Sequence, residues 1–170
     1  MTATETLDNL VFSCTTSLFK AYGQPLAEVP RSPHGPQPPE LCAVIGFSGP
    51  DLSGALMIAA DPGPIAASRP TPTTSNRDWL AELANQLLGR IKNRLLPTGV
   101  EIYPTTPIVL RGERIAPLGR NGDLPGVVFA AESGGQIVVW LDFTARDDLR
   151  LDRSLQALGP IPREGEMVWF

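Results

Sequence analysis

Apolar positions recur at helical spacing in two long stretches and at strand spacing in several short ones. Near the start, Leu7, Leu10, Val11, Cys14, Leu18 and Ala21 follow one another mostly at intervals of three and four. That predicts an amphipathic helix, closed by Gly23 as the residue just past its end. Residues 41–47 form a short apolar run, Ser48-Gly49-Pro50-Asp51 carries turn chemistry, and residues 55–59 form a second run. Together they predict a β-hairpin. Residues 65–68 predict a short helix stopped by Pro70 and Pro72. The longest periodic stretch covers residues 75–96, with Ser75 as N-cap and Asp78 three residues on, placed for a capping-box-like pair. Strand-like runs follow at residues 107–110, 127–131 and 137–143, the last two joined by the hairpin signal Glu132-Ser133-Gly134-Gly135. Residues 147–158 predict a further short helix, with Leu151, Leu155 and Leu158 on one side. This order predicts an α+β fold, a mostly antiparallel sheet packed by an N-terminal helix and one long central helix.

Proline changes one part of this picture. Pro25, Pro30, Pro33, Pro36, Pro38 and Pro39 fall within residues 24–39. Proline lacks the N–H and fixes φ, so this stretch reads as a long extended connection with neither a helix nor a central strand. The 170 residues read as a single domain, residues 1–170. Lys and Arg number 14 against 18 Asp and Glu, a net charge of −4, whereas a protein that tracks nucleic-acid phosphates is normally basic. No apolar run approaches the roughly 20 residues of a membrane span. Met1 to Leu10 carries Glu5 and Asp8 and lacks the basic start of a secretory signal. The expectation is a cytoplasmic protein without membrane insertion. Two Cys and one His argue against a Cys/His zinc site. His34 lies in the proline-rich stretch, a poor place to hold a catalytic base. Cys14 falls on the apolar side of the first helix and Cys42 in a core strand, so both read as small hydrophobes.

The candidate chemistry lies on the central helix. On a wheel, Leu80, Leu83, Ala84, Leu87, Ile91 and Leu95 form one broad stripe that faces the core. Asp78, Glu82, Asn85 and Gly89 fall within about 60° of one another on the other side. A carboxylate and a carboxamide therefore share an exposed ridge one turn apart, and a glycine follows a turn later. Asp78 fits a first-turn capping role. Asn85 is a poor helix former. Gly89 costs roughly 1 kcal/mol against Ala in a helix interior, either for a close helix crossing or to let another surface approach Asn85. Trp79, at the edge of the ridge, reads as boundary packing, and Trp140 as core or dimer surface. The residues alone establish an exposed Glu/Asn pair beside a gap.

The spacing Asp78-x3-Glu82-x2-Asn85, followed after 21 residues by Pro107, resembles the signature of the CheC/CheX/FliY chemotaxis phosphatases. The segment from Glu82 to Gly89 resembles that family's E-x-x-N-x-x-x-G helix, and Thr106 to Gly112 resembles the strand entry that follows it. The resemblance spans roughly residues 4–143 and leaves out the proline-rich segment and the tail from about 144 to 170. One Glu-x-x-Asn helix, where CheC-type members carry two, makes the chain most like CheX.

The resemblance implies a hydrolase acting on a CheY-like receiver domain that carries an aspartyl phosphate. Asn85 would orient the attacking water, a task suited to a neutral group that both donates and accepts hydrogen bonds. Glu82 would pair with the receiver's lysine and fix the docking register. Asp78, Gly89 and Pro107 would support or dock. The chain would have no cofactor of its own, because the receiver supplies Mg²⁺, and it would form a homodimer. The residues from Val127 to Phe143, apolar at more positions than one buried face requires, point the same way. Two other readings remain open: a non-catalytic module that binds a receiver or associates with the flagellar motor, and a structural dimer in which the ridge is idle.

Overall fold

In the computed structural model, which describes residues 2–30, 39–119, 122–149 and 151, the chain opens with helix α1 (Ala3–Ala21). Thr2 caps it: its hydroxyl accepts the Glu5 N–H at 3.2 Å, and the Glu5 carboxylate accepts the Thr2 N–H at 2.7 Å. The two bonds satisfy two otherwise orphaned donors, and the Thr2 backbone N–H, helped by the Thr2 hydroxyl, holds the Glu5 carboxyl below the ordinary carboxyl range. At the other end Gly23 takes φ +74°, as expected. The Gln24 N–H reaches Phe19 and the Gly23 N–H reaches Lys20, a Schellman closure.

The expected hairpin forms as β2 (Leu41–Ser48) and β3 (Leu52–Ala60), paired from Leu41 with Ala60 to Phe47 with Gly54. Its tip is tight. A Cβ on Gly49 would lie 2.1 Å from the Glu101 carbonyl oxygen, so only glycine fits there. The second hairpin is β8 (Val127–Ala131) and β9 (Gln136–Ala145), and β3 is paired with β9 from Leu52 to Ala60, the whole length of β3. Helix α2 (Pro62–Ser68) follows β3, and the central helix is α3 (Asn76–Leu95). A 3₁₀ turn, Leu96–Thr98, then ends on Gly99 at φ +81°.

The outer strand beyond β2 comes in two pieces. β4 (Tyr103–Pro104) pairs with Phe47 and Ser48, and β5 (Ile108–Arg111) pairs with Leu41 to Val44. Thr105 bridges them through Gly46. All pairings of this seven-stranded sheet are antiparallel; with Leu26–Glu28 as β1, the order is β1-β8-β9-β3-β2-β4, with β5 also on β2. A small separate ribbon pairs β6 (Leu118–Gly119) with β7 (Gly122–Asp123).

Alternation along the strands sorts the core into two layers. Ala43, Ile45, Leu56, Ile58, Phe129 and Ile137 face α1 and α3, among a larger set that includes Leu83 and Leu87. Burying each such Leu, Ile or Phe contributes roughly 1.5–3 kcal/mol. On the opposite face Cys42, Met57, Ala59, Val128, Val138 and Trp140 form a second cluster, covered by Val29, Ile115 and Leu124. The surplus of apolar positions between Val127 and Phe143 is therefore explained largely within the chain, since both faces of that hairpin are buried.

Several expectations need correction. The stretch 24–39 is not extended connection throughout, because Leu26–Glu28 forms β1 against β8. β1 sits at the sheet edge, where flanking Pro25 and Pro30 leave no ladder bond unmade in a sheet interior. Residues 31–38, with His34, lie outside the described residues. So does most of the helix expected over 147–158: Asp147 and Asp148 form a turn, and Leu149 and Leu151 pack onto the first core layer. The strands β4, β6 and β7 had no counterpart in the sequence reading.

Candidate functional site

Helix α3 is buried on more than one side, against β2, β3, α1 and α2. Trp79, Leu80, Leu83, Ala84, Leu87, Leu88, Ile91 and Leu95 all point inward. What remains outside is the ridge: Asp78, Glu82 and Asn85 are exposed and Gly89 is half-buried. Their order on the helix and their exposure follow directly from the 3.6-residue period.

Each ridge position has a distinct environment. The Asp78 backbone N–H donates to the Ser75 hydroxyl at 3.0 Å, and that hydroxyl donates to the Asp78 carboxylate at 2.8 Å. Arg77 also pairs with Asp78 at 2.9 Å. Its carboxylate is therefore spent on the helix start. The Asn85 side chain makes no hydrogen bond among the described residues, so both ends of its carboxamide are free. A Cβ on Gly89 would meet nothing within 4 Å. The glycine serves no helix crossing within the described residues, and the space beside Asn85 is open.

Glu82 is held from below. Gln86 donates to one Glu82 oxygen at 2.9 Å and accepts from the Tyr22 hydroxyl at 2.8 Å. Gln86 and Tyr22 were missed by the sequence reading, although Glu82-x3-Gln86 is a visible i, i+4 pair. Trp79 is 3% exposed, packs edge-on against Tyr22 at 4.8 Å and donates to the Ser68 hydroxyl at 2.9 Å. It is interior packing and offers nothing to a docking partner.

Pro107 lies in the break between β4 and β5, on the outer strand over which α3 packs. Proline suits that break because no ladder N–H is needed there. The structure places it at the sheet edge.

The ridge lies on the exposed side of α3. A cavity of about 540 Å³ opens at the start of α3, lined among others by Glu40, Arg69, Ser75, Arg77 and Arg111, and none of Glu82, Asn85 and Gly89 borders it. An exposed carboxylate and carboxamide outside that cavity suit contact with a partner's surface better than capture of a small molecule within it. Among the described residues no group of three or more His, Cys, Asp or Glu is arranged to hold a metal ion. No helix among them is long and apolar enough to cross a membrane. The two cysteines are buried and unpaired, and burial pushes the Cys14 thiol up to about 11.

Solved structures share this architecture. The CheX chemotaxis protein of Vibrio vulnificus superposes with a TM-score of 0.65 at 19% identity, over 80% of this chain and 95% of that one. The fold is that of CheX. A CheC-like superfamily protein from Shewanella sp. PV-4 gives 0.59 at 20% identity, covering 81% of this chain and 96% of its own. The CheX–CheY–BeF3–Mg²⁺ complex from Borrelia burgdorferi gives 0.56 at 15% identity, over 79% and 96%. No protein-family model and no curated protein matches the sequence. The CheX fold includes the long helix on which Glu82 and Asn85 stand, so the sequence's α+β expectation holds down to the element that carries the motif.

Proposed function

We propose that this chain is a CheX-like protein-aspartyl-phosphate phosphatase that dephosphorylates a CheY-like response regulator in the cytoplasm. One observation carries the reading. Asn85 presents a free, exposed carboxamide one turn from an anchored carboxylate, on the long helix of the CheX fold. A CheX of that fold has been solved with CheY, trifluoroberyllate and Mg²⁺, which supports a receiver as the partner.

The chemistry asks little of this chain. An acyl phosphate is already reactive, and hydrolysis needs a water placed in line with the phosphorus. Docking of the ridge inserts Asn85 into the receiver's active cleft, where its carbonyl accepts from the water and its NH₂ donates to a phosphoryl oxygen. The water oxygen bonds to phosphorus as the bond to the aspartyl oxygen breaks. The aspartate leaves as a carboxylate, and the water's proton ends on phosphate or solvent. A neutral carboxamide suits this position because it adds no charge beside the phosphoryl group. Glu82 pairs with the receiver's lysine and sets the register. The open space at Gly89 lets the receiver come close. Mg²⁺ arrives with the receiver, and no covalent intermediate forms on this chain.

We also propose that the chain forms a homodimer through the β4–β5 edge. Ile108 is 64% and Leu110 41% exposed on an outer strand that, among the described residues, pairs only with β2. Covering this edge would hide both apolar side chains and unpaired backbone groups.

The test is loss of phosphate from purified phosphorylated receivers of the same organism. Wild type is expected to speed the loss for at least one receiver. Asn85→Ala is expected to slow that rate about a hundred-fold, the order that mispositioning a reactant costs, while stability stays within about 0.5 kcal/mol. Unchanged turnover in Asn85→Ala rejects the water-positioning role. Tight binding of wild type with no acceleration assigns the ridge to a receiver-binding or motor-associated module instead.

A further inference from the structure

We propose that Gln86 is a positioning residue for Glu82, fixing the docking carboxylate in one rotamer before the partner arrives. The inference rests on the docking role proposed above for Glu82 and adds the residues that prepare it. Gln86 is only 6% exposed, on a helix flank where a leucine would pack as well and favour the helix at least as much. A buried carboxamide needs partners at both ends, and Gln86 has one at each: Glu82 at 2.9 Å and Tyr22 at 2.8 Å.

The direction of the chain of bonds is forced. An ionised carboxylate can only accept, so the NH₂ end of Gln86 faces Glu82. Its carbonyl then faces Tyr22, whose hydroxyl donates. Tyr22 cannot swing away easily. It caps the end of α1, and its ring meets Trp79 at 4.8 Å with the planes 85° apart. Trp79 is anchored in turn by Ser68, the last residue of α2, at 2.9 Å. Three helices therefore contribute to one exposed carboxylate. An ordinary surface glutamate samples several rotamers and loses them on binding. Glu82 has given them up already, whereas Asn85 on the same ridge keeps its freedom.

A buried glutamine satisfied only for the fold's sake would show the same bonds, so the test asks whether Gln86 acts through Glu82. Gln86→Met keeps the length and the helix preference and removes both hydrogen bonds. In the free protein, side-chain scalar couplings of Glu82 by NMR are expected to report one rotamer in wild type and averaging in Gln86→Met. With a trifluoroberyllate-activated receiver, Gln86→Met is expected to raise Kd about three- to ten-fold, the range for freezing one long side chain. In turnover the loss falls on KM more than on kcat. In a Glu82→Ala background the same substitution is expected to have no further effect on Kd. Rotamer averaging of Glu82 in wild type overturns the proposal. So does an equal loss of affinity from Gln86→Met with and without Glu82. If Glu82→Ala alone leaves Kd unchanged, the docking role itself fails and takes this inference with it, an outcome identified by that one variant. Tyr22→Phe keeps the ring against Trp79 and removes only the hydroxyl that orients Gln86. It carries the same comparisons should Gln86→Met fail to fold.

Discussion

Gly89 stands in the interior of a twenty-residue helix, and among the described residues nothing lies within 4 Å of the Cβ it lacks. In such a place Ala is the better residue by roughly 0.5–1 kcal/mol, because it loses less backbone entropy on folding. Gly89→Ala is therefore expected to stabilise the protein by about that amount in urea denaturation. If the gap exists for a partner, the same methyl group weakens receiver binding, and calorimetric titration reads it. Unchanged affinity together with raised stability would remove Gly89 from the docking surface. At this scale much was legible in the sequence. The wheel separated the ridge from the stripe because exposure on a helix follows periodicity. It failed for Gln86 and for the depth of Trp79. Both are decided by which side chains of α1 and α2 come to lie over α3, and no local pattern encodes that.

The elements divide in the same way. The long helices, the two hairpins and β5 were readable because periodic burial over many residues writes itself into the chain. β1, β4, β6 and β7 are two or three residues long, too short to carry a period, and each exists because a partner strand offers it hydrogen bonds. β1 is the clearest case, since the prolines on either side of it hid the three residues between them. The central ladder makes its own demand. A Cβ on Gly54 in β3 would sit 2.0 Å from the Asp142 carbonyl oxygen of β9. The obstacle is backbone in a strand bonded along its length, so it cannot step aside as a side chain would. Gly54→Ala is expected to cost about 3 kcal/mol or more, the upper end of overpacking losses, seen as a lower urea midpoint. A variant as stable as wild type would mean that β9 shifts in register or bulges at Asp142.

At the scale of the whole molecule, the second core layer and the outer edge answer different questions. The apolar surplus of the β8–β9 hairpin is taken up largely by Val29, Ile115 and Leu124 of the same chain, so it gives no argument for a second copy. The edge at Ile108 and Leu110 does. Static light scattering at micromolar concentration is expected to give twice the chain mass, and Leu110→Lys is expected to halve it while leaving circular dichroism unchanged. A wild-type monomer would reject the edge as an interface.

The solitary carboxamide of Asn85 has an evolutionary consequence. No hydrogen bond of the described fold depends on it, so selection for a folded, stable chain exerts almost no hold on that position. Only a partner can preserve it. In a lineage that loses its receiver, position 85 would drift within the tolerance of any helix surface. Buried Gln86 and half-buried Tyr22, bonded to each other, would persist much longer as a remnant of the abandoned task. Architecture and activity can therefore part company by a single codon change, and the letter at position 85 becomes the first record of the separation.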